Sequence, residues 1–310
     1  MISVIIPLFN KEREIVRSLQ SVLNQSFSHF EIVVIDDGST DHSVKRVEQI
    51  DDPRIKIIRQ TNAGVAAARN RGVAEARYDW VALLDADDEW REDFLTQMFD
   101  LIQRYPQCAV HACGYDFCDD RGKITPALFR RIKFTEEHGI MENYFEIACH
   151  SHPPLCSSAV VIRKTALMAI GGFPTDIQAG EDLLTWARLA AHYPIAYTKQ
   201  HLAIYHATNN FAEPPKRQPA RKDRVAEELY KLSVNKQIPQ LRNYLSHWHK
   251  MRCSIYLRMG ERRKVLREAL KALYYNPFNG KIYLYAGMTL SPMRLMYITA
   301  QYISQCSHRS

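Results

Sequence analysis

The first hundred residues alternate short, wholly apolar runs with helical patterns, and few architectures accept that rhythm. SVIIPLF, EIVVIDD, RIKIIRQ and WVALLDADD read as strands. Between them Lys11–Leu23, with apolar Ile15, Leu19 and Val22, then SVKRVEQI and GVAAARNRGVAEA, read as helices. A strand that is apolar on both sides has to be covered on both faces. The pattern therefore predicts an α/β fold, a mostly parallel sheet covered by helices. Such sheets bind ligands in the crevice at the carboxyl ends of their strands. Three expected strand ends carry polar clusters: Asn10, the pair Asp36 and Asp37, and the run from Asp85 to Asp88.

Beyond Tyr105 the pattern loosens into shorter strands at Ala109–Phe117 and Ser158–Ile162. Gly171-Gly172-Phe173-Pro174 then punctuates the chain before a helical run from Glu181 to Ala191. The basic, Pro-rich EPPKRQPARKD (Glu213–Asp223) reads as a linker. Only helical patterns follow: Arg224–Asn235, Ile238–Met259, Glu261–Leu273 and Gly280–Ser291. Two domains are expected, 1–213 and an all-helical appendage over 214–310.

Charge divides at the same place. Residues 1–213 hold 22 Lys and Arg against 29 Asp and Glu, a net −7, whereas 214–310 hold 19 against 5, a net +14. A basic helical segment points to an anionic partner, a membrane surface or nucleic acid, or else to a solvated basic face. No run of about 18 uncharged apolar residues exists; the nearest, Ile282–Ile303, is interrupted by Pro292 and Arg294. MISVIIPLFN lacks a signal peptide's charged n-region and cleavage site. Seven cysteines without framework spacing read as reduced thiols, so the expectation is a cytoplasmic protein. Cys108, Cys113 and Cys118, with His111 between, lack the two-residue knuckle of structural zinc sites and read as buried strand residues.

Four clusters carry chemistry. Asp36 and Asp37 at a strand end suit a base N–H or ribose hydroxyls, while Ser39, Thr40 and Asp41 turn the chain and cap a helix. In NAGVAAARNRG, small residues at a helix start allow close approach to a phosphate or sugar, with Arg69 and Arg71 as donors; tight helix–sheet packing explains the small residues equally well. Asp85 and Asp87, spaced D-x-D, form a compact oxygen site for a hard divalent cation. Asp88 and Glu89 read as first-turn residues of a helix beginning near Arg91. Asp182 could act as a general base, with Glu181 orienting a substrate hydroxyl, or the pair could simply serve the helix dipole.

These clusters, in this order, resemble the family 2 glycosyltransferases with the GT-A nucleotide-sugar fold. The matching stretches are SVIIPLFN, VVIDDGSTD, NAGVAAARNRG, the DADD cluster and GGFPTDIQAGEDLLTWARLA, covering roughly residues 1–210. The resemblance implies that Pro7, Phe9, Asn10, Asp36, Asp37, Asn62, Gly64, Arg69 and Asp85 bind the nucleotide-sugar. Within that set Phe9 would stack on uracil, Asp37 would accept from its N3–H, and Asp85 would bind ribose. Asp87 would hold Mn2+ or Mg2+, with His206 completing the metal shell and His201 as its rival. Asp182 would deprotonate the acceptor, and Trp186 would stack on the acceptor sugar. The implied activity is transfer of one sugar from a UDP-sugar to a glycan or lipid-linked acceptor, with inversion, as in bacterial polysaccharide biosynthesis. The basic helices would rest on the anionic inner face of the plasma membrane. No Q-x-x-R-W motif follows Asp182, so the resemblance is to distributive enzymes.

Rivals fare worse. A nucleotide-sugar-binding module without transfer predicts loss of the metal or base carboxylate, and both are present. A nucleotidyltransferase usually needs a Gly-rich basic loop after its first strand, whereas Phe9-Asn10-Lys11-Glu12-Arg13 contains no glycine. A nucleic-acid partner finds no zinc knuckle or aromatic RNA-binding strand.

Overall fold

The computed structural model describes residues 1–206, 218–238 and 240–290. Its first half runs β1 (Ile2–Leu8), α1 (Ile15–Leu23), β2 (Phe30–Asp36), α2 (Ser43–Glu48), β3 (Ile55–Arg59), α3 (Val65–Glu75) and β4 (Trp80–Leu83). The chain continues through β5 (Glu89–Trp90), α4 (Phe94–Arg104), β6 (Val110–Cys118), β7 (Ile124–Pro126), β8 (His138–Met141), α5 (Tyr144–His150) and β9 (Val160–Arg163). It then forms α6 (Lys164–Ala169), α7 (Glu181–His192), β10 (Ile195–His206), α8 (Arg224–Lys236), α9 (Gln240–Arg258), α10 (Arg262–Tyr275) and α11 (Gly280–Met288).

The strands join one sheet ordered β3-β2-β1-β4-β9-β6-β10-β5, with β7 added to β6 and β8 to β10. The four N-terminal strands run parallel, as their uninterrupted apolar sequences require. From β4 onward the sheet is mixed: β9 is antiparallel to both β4 and β6, while β10 is parallel to β6. Every residue of β1 is buried. Isoleucines 2, 6 and 15 with Leu19, Val34, Leu84, Phe94 and Met98 belong to one core. On the other side α3 packs so closely that a Cβ at Gly72 would stand 2.3 Å from Ile5 Cγ2. Small residues in α3 therefore do serve helix–sheet packing.

Cys113 and Cys118 are buried strand residues of β6, whereas Cys108, also fully buried, lies two residues before that strand. His111 is buried edge-on against Trp80, and burial pushes its imidazole down to about 4, so it stays neutral.

Two compact units emerge. The first comprises Met1–Tyr144, His152–Asp176 and Glu181–Thr208; the second comprises Phe145–Ser151, Ile177–Gly180 and Asn209–Ser310. The helical unit thus takes two short segments from within the earlier sequence, which a single division at 213/214 does not convey. Gly180, with φ +88°, lies so close to the Trp248 ring that a Cβ there would come within 2.5 Å of it. The expected linker lies outside the described residues as far as 217, as does most of the apolar stretch 282–303. No helix among the described residues is long and apolar enough to cross a membrane.

A buried ionic network ties α8, α9 and α10 together. Arg252 Nε lies 3.1 Å from both Asp223 Oδ2 and Glu268 Oε2, and His249 Nδ1 lies 2.7 Å from Glu268 Oε2. Ligand atoms of Asp223, His249 and Glu268 fall within 4.8 Å of one another, but Arg252 already supplies the positive charge, so this is a structural cluster. Burial alone would raise the Glu268 carboxyl; the His249 hydrogen bond and the Arg252 charge more than offset it and bring it down to about 2. A carboxyl depressed from 4.5 contributes stability at neutral pH that is lost as pH falls from about 4.5 toward 2. Glu268→Gln should therefore cost roughly 3 kcal/mol at pH 7, with the gap to wild type closing below pH 4.5. Urea unfolding followed by circular dichroism at several pH values measures it; a pH-independent gap would refute the assignment.

Candidate active site

The strand ends that looked polar in sequence do meet. Beyond β1, Phe9 is 45% exposed, presenting an aromatic face at the carboxyl edge of the sheet. Asn10 adopts φ 51° and accepts from the Thr40 N–H at 2.8 Å, fastening the β1 end to the loop after β2. Asp36 Oδ1 accepts from the Ser39 N–H at 3.0 Å, so it shapes that loop. Asp37, almost wholly buried, accepts from Gln60 Nε2 at 2.7 Å and from the N–H groups of Ala63 (2.9 Å) and Gly64 (2.8 Å). Asp37 thereby holds the loop bearing Asn62 and Gly64 at the start of α3. Oδ2 takes one of these donors, leaving capacity for another. Gly64, at φ +89°, occupies a backbone region that side chains strain to reach. Pro7 is buried within β1 beside Ile35 and presents no face to a ligand, a correction to its expected role.

The acidic run after β4 divides differently from its sequence reading. Asp85 Oδ1 accepts from Arg69 Nη2 at 2.7 Å, and Asp87 Oδ2 from Lys11 Nζ at 2.5 Å. Burial alone would lower the Lys11 ammonium, but Asp87, with Glu14 and Asp85, raises it. Arg17 Nη2 donates to the Asp87 carbonyl at 2.5 Å. Asp88 and Glu89 are not first-turn residues: α4 starts at Phe94, and Glu89 lies in β5. Asp88 is buried and accepts from Ser158 Oγ at 2.5 Å and the His206 N–H at 3.0 Å. Its burial, then the Asp85 charge, push its carboxyl well above the usual range.

His206 sits beside this cluster, yet its Nε2 lies 2.7 Å from Glu89 Oε1 rather than on Asp87. His201 is engaged elsewhere, with Nδ1 2.6 Å from Asp116 Oδ1. Neither histidine completes a shell around Asp87 in this arrangement. Arg71 pairs with Glu75 on the α3 surface and is no donor to the site.

Arg69 joins the β4 acids to α7. It is 4% exposed, and its Nε and Nη1 have no hydrogen-bond partner among the described residues. Burial would lower its guanidinium, but Asp85 raises it, with further help from Asp182 and Glu181. Asp182, Asp85 and Asp88 also act together on the half-buried Cys156 thiol, which burial pushes well up. Glu181 is 3% exposed, whereas Asp182 is partly exposed and accepts from its own following N–H, Leu183, at 2.8 Å.

Trp186 cannot meet an acceptor: it is fully buried, edge-on to Phe173 at 5.6 Å. The stacking role therefore falls: positions 182 and 186 share a helix face, but at 186 that face is covered by the Phe173 ring, whereas at 182 it is partly exposed. Sequence reasoning also missed Asn70, whose amide bonds both ways to the Phe173 backbone (2.7 and 2.8 Å) and anchors the Gly-Gly-Phe-Pro loop ahead of α7. Ser158 and Lys11 were missed too. Lys11, three residues past the end of β1, was legible as the nearest cation; Ser158 gave no signal.

Comparison with known proteins adds to this geometry. The model of the family described as "Glycosyl transferase family 2" matches residues 3–171. A Rickettsia conorii protein named as an uncharacterized glycosyltransferase is 30% identical over 220 residues, 69% of this chain and 35% of its own length. A "Putative teichuronic acid biosynthesis glycosyltransferase" of Bacillus subtilis is 30% identical over 227 residues, 72% of this chain and 85% of that one. The chain spans only 35% to 50% of the Rickettsia relative and of one from Haemophilus influenzae. Among solved structures, S. aureus TarS matches 99% of this chain and 54% of its own at TM-score 0.65 and 19% identity. TarS 1–349 in complex with UDP-GlcNAc matches 89% of this chain and 92% of its own at TM-score 0.61, also 19% identical.

Proposed function

We propose, proceeding from the fact that the chain belongs to glycosyl transferase family 2, that it moves a single sugar from a UDP-sugar to a hydroxyl of a glycan or lipid-linked acceptor, with inversion. The observation that carries this is the convergence of Phe9, Asp37, Asp85 and Asp87 at strand ends with Asp182, through Arg69. A structural neighbour in complex with UDP-GlcNAc supports the donor class.

Phe9 stacks on the uracil and Asp37 accepts from its N3–H, while Asp85 holds ribose. The acceptor hydroxyl approaches the anomeric carbon on the side of Asp182, and Glu181 orients it. As the new C–O bond forms, the bond to the diphosphate breaks and the hydroxyl proton passes to the Asp182 carboxylate.

The donor set suits a hard divalent cation. Asp85 Oδ2 and Asp87 Oδ1 accept from no described residue, and carboxylate oxygens are what Mg2+ or Mn2+ select. Asp87 would hold it, and the bound cation would neutralise charge on the departing diphosphate. Lys11 and Arg17 already place positive charge there. An acceptor carried on a lipid would bring the basic helical unit to an anionic membrane surface.

Thermal stabilisation across a panel of nucleotide sugars, with and without Mn2+, followed by a transfer assay with the best binder, tests the reading. A UDP-sugar should stabilise most, and more with the cation. If no nucleotide sugar stabilises the protein, the reading fails.

A further inference from the structure

Two adjoining cavities of about 880 and 410 Å3 lie along one side of the helical unit, and Tyr230, Tyr274 and Tyr275 line both. They form one groove beside α8 and α10, and its ends differ. One end gathers Arg221, Lys222 and Arg267, exposed cations for which the described residues offer no ion pair or side-chain hydrogen bond. Glu227 is an exposed acid there, whereas Asp223 is consumed by Trp248 Nε1 and Arg252. Lys271 is tied to Glu268 at 3.3 Å. The other end is more apolar, with Val234, Ile238 and Leu245 beside Ser233 and Gln237, and its one cation, Arg242, is tied to the Tyr274 and Tyr275 carbonyls. Large apolar side chains along the groove stand in water: Leu270 and Tyr274 are each 71% exposed, Val234 57% and Tyr230 51%.

Exposed apolar surface of this kind marks something that covers it. The cations fix the charge of that ligand, and the Val234 end fixes its other half. A plain glycan or nucleotide leaves the apolar end in water, and a neutral lipid leaves three cations unpaired. We infer that the groove takes an anionic lipid, its phosphate at Arg221, Lys222 and Arg267 and its first hydrocarbon segment along Tyr274 and Leu270 toward Val234. This rests on the membrane-surface part of the proposed function and names where that contact is made.

The test is co-sedimentation with phosphatidylcholine vesicles with and without phosphatidylglycerol. Wild type should bind only the anionic vesicles. Arg221→Gln with Arg267→Gln should lower the partition coefficient roughly 10- to 30-fold. Val234→Ser with Leu270→Ser should weaken binding at low salt, where charge alone would suffice. If both double variants bind like wild type, the groove is wrong although membrane attachment stands. If wild type binds neither vesicle, membrane attachment fails, and calorimetry with dihexanoyl phosphatidylglycerol below its micelle concentration then decides the groove. Binding of that monomer, weakened in both variants, keeps the anionic-lipid site, with a lipid-linked phosphate as its source. No binding overturns it. Binding of polyglutamate but of neither lipid form, weakened by the Arg substitutions, also overturns it in favour of an acidic protein partner.

Discussion

Asp182→Asn is expected to lower turnover by roughly 10²–10⁴-fold while sparing donor binding and stability. Asn has the shape of Asp and can still accept the Leu183 N–H that Oδ1 now takes at 2.8 Å, so the start of α7 need not move. It cannot accept a proton. The loss should appear in kcat, because the proton leaves the acceptor hydroxyl only as the new bond forms. Stabilisation by the UDP-sugar should be unchanged, since the groups assigned to uracil and ribose belong to the strand ends, not to α7. Comparison with Glu181→Gln separates the roles: Glu181 is buried and orients, so its variant should lose both acceptor affinity and some stability. An Asp182→Asn protein with near-normal activity would move the base elsewhere and leave the 181–182 pair serving the helix dipole alone.

The parallel half of the fold was legible because its strands are apolar on both faces and its helices keep their period; β1 to β4 match the sequence reading within a few residues. The mixed half was legible only in part: the strands read at 109–117 and 158–162 are β6 and β9 and the helix read from Glu181 is α7, but β5, β7 and β8 are four residues or fewer and carry no period of their own. Within the site, Asp37, Asp85 and Asp87 were visible as charges where a strand has no use for them. Asp88 misled, since adjacency to Glu89 resembled a helix start, whereas Ser158, 70 residues away, makes it a buried acceptor. Trp186 misled for the converse reason. Its chemistry suits a sugar and it shares a helix face with Asp182, but one turn further along that face is covered, and only packing against Phe173 reveals it. The Asn70 clamp could not be read from sequence at all, because it spans 103 residues.

Asp87→Asn should abolish the cation's contribution to donor binding and reduce transfer roughly 10³-fold. In the wild type, saturating UDP with Mn2+ at about 100 times the dissociation constant should stabilise the fold by about 2.7 kcal/mol; in the variant Mn2+ should add nothing to the effect of UDP alone. That thermal readout is independent of turnover, so a lost cation is distinguishable from a displaced acceptor. Lys11 gives the second arm. Its ammonium lies 2.5 Å from Asp87 Oδ2, where it competes with a cation for the same charge. Lys11→Met should therefore tighten Mn2+ binding, provided β1 keeps its place, and the Lys11 N–H bond to Ser43 Oγ at 2.7 Å does not depend on the side chain. Should Asp87→Asn retain the full Mn2+ effect, the ion would be held by Asp85 and Glu89 instead, and the Lys11 pair would be a structural bridge across the strand ends. The two variants must move in opposite directions for Asp87 to be the ligand, because only a carboxylate shared between an ammonium and a metal gives that sign pattern.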